Sequence, residues 1–227
     1  MEEISKTQID QLGNRLRKAP LSEADLKALD DYRKSFGAAY EEVVRVIREK
    51  LDLEPTGRPA KSTSSIIEKL HRESIRLSQV QDIAGCRVVV PDIKKQDHVV
   101  ENLCNIFPTA SVMDRRIHPS YGYQAVHVII KILEKAIEVQ IRTELQHDWA
   151  ELSEKFSDKI DPAIKYGGGD KNISELLYNF SSLIKNYEGL EKQVVGSSKI
   201  DKIIEKMADI KMKIAALIKK YIKEEKK

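Results

Sequence analysis

The chain lacks most of the features that would place it by inspection. It has two cysteines in 227 residues, Cys86 in an apolar run and Cys104 in a helix-like segment, which is neither a disulfide framework nor a metal-spacing pattern. A reducing compartment is implied. No stretch reaches the roughly 18 consecutive apolar residues that a membrane span needs, and the polar start MEEISKTQID has no signal-peptide character. The expectation is a soluble, cytoplasmic protein with no membrane partner. Its 39 Lys and Arg nearly cancel its 36 Asp and Glu, leaving a formal charge of +3, so any anion-binding site has to be local. A Walker glycine loop is missing too: Gly167–Gly169 is followed by Asp-Lys-Asn rather than Gly-Lys-Ser or Gly-Lys-Thr. That excludes the usual P-loop NTPase but not phosphoryl transfer. No internal repeat marks a solenoid. What is present is 41% apolar residues, ample for a core.

The first third reads as helices. One segment ends near Lys18–Pro20, and the next opens on a capping box in SEAD, with Ser22 as N-cap and Asp25 in the place usually held by Glu or Gln. Leu26, Leu29, Phe36, Tyr40, Val43 and Ile47 then follow at helical spacing and predict a packed face. Glu54–Pro59 holds two prolines and a glycine that end the helix, so Arg58 is expected on a loop. Residues 64–72 predict a short helix on which Ser65, Lys69 and Arg72 share a face. AGCRVVV, Ala84–Val90, is short and β-branched, as a buried strand should be, with Asp82 just ahead of it. A helix over 94–105 and a strand over 111–114 follow. Gly122–Ile132 alternates as a strand, with Tyr123, Ala125 and His127 on one face. With Glu134 and Lys135 at the tip, this strand and the next form a hairpin. After a helix over 144–156 and the glycine break, two long helices divide near 195–198. In the second of them Ile200, Ile203, Met207, Ile210, Ile214, Leu217 and Tyr221 are spaced like a coiled-coil seam.

The segment EVQIRT, Glu138–Thr143, concentrates the chemistry. As a strand it puts Glu138, Gln140 and Arg142 on one face and Val139 and Ile141 on the other. Set beside a helix bearing Ser, Lys and Arg, such a face makes a groove with both signs of charge. Arginine grips phosphate bidentately and lysine as a point charge. Mg²⁺ takes one or two carboxylates and completes its shell with water and substrate phosphates, and Asp82 and Glu138 supply one carboxylate each.

GRPAKSTSSIIEKLHR, VQDIAGCRVVV, GYQAVH and EVQIRT, in that order and at those intervals, resemble the synthetase domain of the RelA/SpoT family over roughly Gly57–Lys159. The resemblance implies an α/β (α+β) fold, a nucleotidyltransferase-like mixed β-sheet flanked by helices. It divides the chain into an N-terminal helical segment (1–53), a pyrophosphokinase core (54–160) and C-terminal helices (161–227). The implied reaction transfers the β,γ-pyrophosphate of ATP to the 3′-hydroxyl of GDP or GTP, giving ppGpp or pppGpp and AMP. Carried over residue by residue, Asp82 and Glu138 would hold Mg²⁺, and Glu138 would also take the proton of the attacking hydroxyl. His127 would sit beside the transferred group. Arg58 and Arg87 would sandwich the adenine, with Lys61, Ser65, Lys69 and Arg72 on the ATP phosphates. Tyr123 would stack on the acceptor base, and Gln140, Arg142 and His147 would line the acceptor side. Two departures stand out. Ala60 is inserted between Pro59 and Lys61, which offsets that lysine. HPSYGY offers Tyr121 where the family has a lysine ahead of GY, while Asp114-Arg115-Arg116 supplies cations nearby.

Taken singly, each residue has an ordinary alternative: Glu138 a solvated strand position, His127 a core histidine, Tyr123 simple packing, and Ser65, Lys69 and Arg72 a solvated helix face. The dipeptide His147-Asp148 does not signal a metal-dependent hydrolase, since that site needs several more histidines on separate helices. Three functions follow. The first is an alarmone synthetase. The second, motivated by HPSYGY and the toxin-like tail ELSEKFSDKIDPAIKYGGG, is a toxin that modifies the 3′ end of tRNA or makes adenosine alarmones. A tRNA acceptor needs a basic patch, with Arg15, Arg17 and Lys18, or Arg115 and Arg116, as candidates. The third is a non-catalytic interaction protein. The C-terminal seam predicts self-association or docking of an antitoxin.

Overall fold

The computed structural model describes residues 5–18 and 20–192, together with 201, 202, 205, 209 and 212. The coiled-coil-like seam at Ile200–Tyr221 lies outside the described residues. Its elements run α1 (Lys6–Leu16), α2 (Glu23–Lys34), α3 (Gly37–Leu51), β1 (Thr56–Arg58), α4 (Thr63–Arg72), β2 (Ala84–Val90), α5 (Ile93–Ile106), β3 (Ser111–Asp114), β4 (Val126–Ile132), β5 (Lys135–Thr143), α6 (Glu144–Lys159) and α7 (Lys171–Lys192). The five strands form one mixed sheet in the order β1-β2-β5-β4-β3, flanked by helices as the sequence predicts. Among the described residues no helix is long and apolar enough to cross a membrane.

The described residues fall into two compact units. The first comprises the residues up to Val88 with Asn102–Val112 and His127–Gln140; the second comprises Val89–Glu101, Met113–Val126 and the residues from Ile141 onward.

In the first unit, α1 is closed by a capping box in which Ser5 and Gln8 exchange hydrogen bonds. The SEAD signal is only half realised. Ser22 Oγ caps the Asp25 amide, but the Asp25 carboxylate accepts from the Ser22 hydroxyl at 2.7 Å and from Arg15 at 2.6 Å. Asp is one methylene shorter than the usual Glu, and its carboxylate takes these nearer donors. The long apolar face is split between α2 and α3 at Ser35–Phe36, where Phe36 meets Tyr32 edge-on at 5.2 Å. Leu29, Val43 and Ile47 are fully buried, whereas Leu26, expected on the same face, is 39% exposed. Lys135 stands over the Tyr32 and Phe36 rings, 5.9 and 5.4 Å from their centroids.

Arg58 is not on a loop. Thr56–Arg58 pairs antiparallel with β2, with Thr56 opposite Arg87 and Arg58 opposite Gly85, because Pro59 follows the strand rather than interrupting it. The β4–β5 hairpin forms, with its turn one residue earlier than predicted. Leu133 and Glu134 take φ of 48° and 58°, the left-handed pair that a two-residue type I′ turn requires.

In the second unit α6 and α7 pack together with the 3₁₀ turn Pro162–Tyr166. Their core is Trp149, Phe156, Ile164, Ile173, Leu177, Phe180 and Ile184. The predicted strand over Gly122–Ile132 is shortened. Tyr121 and Gly122 have φ of 54° and 91°, so β4 starts only at Val126 and Tyr123 sits in a turn closed by its bridge to Ser120. Alternation therefore does not relate Tyr123 to His127.

Candidate functional site

Strand β2 begins two residues after Asp82, and the chain between them is anchored: Ile83 is fully buried and its carbonyl accepts the Lys61 amide at 2.6 Å. That bond absorbs the Ala60 insertion and brings Lys61 to the site. Lys61 Nζ donates to Asp82 Oδ2 at 2.6 Å, and Lys69 Nζ, from α4, to Oδ1 at 2.9 Å. Burial pushes the Asp82 carboxyl up, but the charges and hydrogen bonds of Lys61 and Lys69 more than offset it, so its pKa lies below the ordinary value. The α4 stripe is divided in its use. Lys69 turns to Asp82, Arg72 pairs with Glu68 and Glu73, and Ser65 belongs to the capping turn, its amide and hydroxyl both bonded to Ser62 Oγ.

In the same unit, Glu138 of β5 has both carboxylate oxygens engaged. Oε1 accepts from His127 Nδ1 of β4 at 2.9 Å, and Oε2 from Gln140 Nε2 at 2.7 Å. Burial raises the Glu138 pKa and Asp82's charge adds to this, but the hydrogen bond and charge of His127, helped by Gln140, hold it below the ordinary value. Both carboxylates are thus ionised at neutral pH and close enough to feel each other.

Beneath Glu138 the two strands come into unusually close contact. A Cβ on Gly85 would lie 2.6 Å from the Glu138 carbonyl oxygen and 3.3 Å from its Cβ. Neighbouring Cys86 is buried, and burial, with Glu138's charge adding, pushes its thiol up to about 12. At pH 8 its thiolate fraction is then of order 10⁻⁴. We expect maleimide at that pH to modify half-buried Cys104 in the folded protein and to leave Cys86 intact until denaturant is added, as read by mass spectrometry.

Arg87 lies half-buried on β2. The backbone register sets the Arg58 and Arg87 positions diagonally across β1 and β2; the Arg58 side chain lies outside the described residues.

In the second unit Arg142, 3% exposed, holds its guanidinium 5.1 Å from the Tyr123 ring centre and donates from Nη2 to the Tyr123 hydroxyl at 3.1 Å. His147 is half-buried on the first turn of α6, whose cap is a reciprocal Thr143–Gln146 box. Arg116, expected to serve as a cation near the acceptor, is committed elsewhere: Asp114 takes it bidentately at 2.9 and 2.6 Å, and Asp97 at 2.6 Å. Two of the other cations considered for a nucleic-acid patch are also engaged within the fold. Arg15 pairs with Asp25, and Arg17 donates to the carbonyls of Leu70 and Ile75.

Several residues that shape these clusters carry no motif signal. Gly85 is one. Ser181, 4% exposed, and Glu188, 2% exposed, are others. Glu188 accepts from Thr143 Oγ1 and from Gln146 Nε2, which ties α7 to the end of β5 and the start of α6. The available signal for Glu188 was positional: an acid continuing the stripe Ile173, Leu177, Ile184 at helical spacing.

Residues 57–160 match the family model described as the region found in RelA / SpoT proteins. An uncharacterized protein of Mycobacterium tuberculosis is 34% identical over 111 residues, 47% of this chain and 41% of its own length. The match therefore spans less than half of that relative. Among solved structures, the small alarmone synthetase 1 of Bacillus subtilis, bound to its product pppGpp, superposes with a TM-score of 0.56 at 22% identity, over 76% of this chain and 99% of that one. A GTP pyrophosphokinase family protein of Streptococcus pneumoniae gives 0.55 at 24% identity, over 81% and 98%. These likenesses establish the fold, and the four motifs lie within the matched region. The likeness to the RelA/SpoT family therefore lies in residues 57–160, just under half of the chain.

Proposed function

We propose that the chain is a pyrophosphokinase that transfers the β,γ-pyrophosphate of ATP to the 3′-hydroxyl of GDP or GTP. The observation that carries this reading is the pairing, within one compact unit, of an ionised Asp82 held by two lysines with an ionised Glu138 held by His127. Lysines whose counter-ion is a carboxylate can be drawn onto phosphate oxygens. Lys61 and Lys69 would grip the ATP phosphates, with the hydroxyl-rich start of α4 beside them. Arg58 and Arg87 would enclose the adenine, and Tyr123 and Arg142 would form the acceptor subsite. The names of the structural relatives, a small alarmone synthetase with pppGpp and a GTP pyrophosphokinase family member, support this choice of substrates.

Mg²⁺ fits the donors present. Asp82 and Glu138 offer hard oxygens from two ionised carboxylates that repel each other, which is the number of protein ligands this ion takes beside substrate phosphates. Bound there, it would neutralise charge on the transferring phosphates. The acceptor 3′-oxygen attacks the β-phosphorus, the bond from that phosphorus to the α-phosphate oxygen breaks, and AMP leaves. Glu138 receives the hydroxyl proton. As a carboxylate of lowered pKa it is a weak base, so the proton moves late, and positioning and charge neutralisation dominate.

The test is to incubate the protein with ATP labelled in its terminal phosphates and, separately, GDP, GTP, ATP alone and deacylated tRNA. Label on GDP or GTP, with release of AMP, is the expected result. Label on tRNA or on an adenosine nucleotide instead would replace the acceptor, and no label anywhere would overturn the enzyme.

A further inference from the structure

We propose that α7, which lies beyond the matched family region, is part of the acceptor subsite, and that Ser181 is a positioning residue for Tyr123. This rests on the reading that Tyr123 meets the acceptor. The geometry stands independently. Ser181 Oγ donates to the Gly122 carbonyl at 2.6 Å, and Gln124 Nε2 donates to Ser181 Oγ at 2.7 Å and to its carbonyl at 2.9 Å. The residues on either side of Tyr123 are thus tied to one side chain of α7.

Both tying groups are buried, Ser181 at 4% exposure and Gln124 at 3%. Polar groups withdrawn from water weaken a core unless they satisfy each other, and here they do so by fixing a turn. The turn needs fixing. Tyr121 holds a left-handed φ of 54°, a conformation that a non-glycine residue keeps only when its surroundings impose it. At Gly122, φ 91°, a Cβ would fall 2.8 Å from Trp149 Cζ2 and 3.2 Å from Ser181 Cβ. Trp149 is itself held, its indole N–H donating to Leu177 O at 2.7 Å. The turn therefore lies against a wall of Trp149 from α6 and Ser181 from α7. On the Tyr123 ring, Arg142 adds a further restraint. An aromatic platform recognises a base only if its plane is fixed before the base arrives, since ordering it afterwards would weaken binding.

The test uses Ser181→Ala and, as a second variant, Gln124→Met, each compared with wild type in the full chain by circular dichroism and melting. With GDP as the probe acceptor, each should raise KM for GDP about tenfold, the effect of one lost buried hydrogen bond. The value of kcat and the affinity for a non-hydrolysable ATP analogue should stay within about twofold. The double variant should cost less than the product of the two, because both remove one clamp. In the free protein, amide exchange at Tyr123, whose N–H bonds Ser120 O at 2.9 Å, should accelerate in both variants. Unchanged KM with unchanged exchange overturns the proposal, as does faster exchange with unchanged KM, which would make the clamp purely structural. A loss of kcat and of ATP-analogue binding together would also overturn it, as general damage. If wild type transfers nothing to GDP, the proposed reaction fails, and unchanged exchange at Tyr123 would then sink the clamp separately.

Discussion

Replacing Glu138 by glutamine is expected to lower pyrophosphate transfer by about 10³-fold or more while leaving the fold intact. The substitution keeps size and removes one charge; the amide oxygen still accepts from one of the two donors, His127 Nδ1 and Gln140 Nε2, and the Gln140 amide can turn its oxygen to the new NH2. Losing one preorganised electrostatic contact to a developing charge typically costs about 10²–10³, and here the same carboxylate is assigned to the metal and to the proton. The measurement is single-turnover transfer of label to GDP, alongside circular dichroism of the same preparation. Turnover within tenfold of wild type would refute the assignment. A pH signature accompanies it. Because the folded-state pKa of Glu138 is lowered, its ionised form contributes stability above the ordinary value of 4.5 and loses it as pH falls through the lower folded value. Urea midpoints measured downward from pH 6 should therefore fall less steeply in Glu138→Gln than in wild type.

Gly85→Ala should destabilise the protein by about 3 kcal/mol, at the upper end of what overpacking usually costs. The added methyl would sit 2.6 Å from the Glu138 carbonyl oxygen, which is backbone and cannot swing aside as a flexible side chain can. β2 and β5 would have to separate beneath the residue on which the chemistry is assigned, so activity should fall with stability. For a domain of this size about 3 kcal/mol corresponds to a drop in melting temperature of roughly 6–12 °C. A variant melting within about 2 °C of wild type would mean that the close approach is not a structural requirement.

The sequence is most legible where chemistry and local periodicity coincide. β2 and β3 fall on the predicted residues, β2 because its short run ending in Val88–Val90 favours a buried strand. Asp82, Lys61 and Lys69 converge, and so do Glu138, His127 and Gln140, because strand neighbours and one helix face bring them together. Where the reading failed, the cause was backbone conformation. Gly122–Ala125 alternates like a strand, yet positive φ at Tyr121 and Gly122 makes it a turn. Thr56–Arg58 carries turn residues on both sides and still pairs, because an edge position tolerates a following proline. Arg116 illustrates a third limit. A cation beside the predicted acceptor loop reads as a ligand group until its acidic partners, one of them far away in sequence, come into view. The partners of Ser181 and Glu188 are hidden for a similar reason: they lie tens of residues upstream.

The sequence separation of the α7 clamp bears on how the protein is made. Gly122 and Gln124 meet Ser181 across 59 and 57 residues, and Thr143 meets Glu188 across 45. Such contacts cannot form until both ends of the loop between them have been made and brought together. On a translating ribosome, the cluster around Asp82 and Glu138 can assemble once β5 has emerged. The Tyr123 turn acquires its support only after α7 has followed. A nascent chain would therefore hold the groups assigned to ATP before it could present an ordered surface to an acceptor.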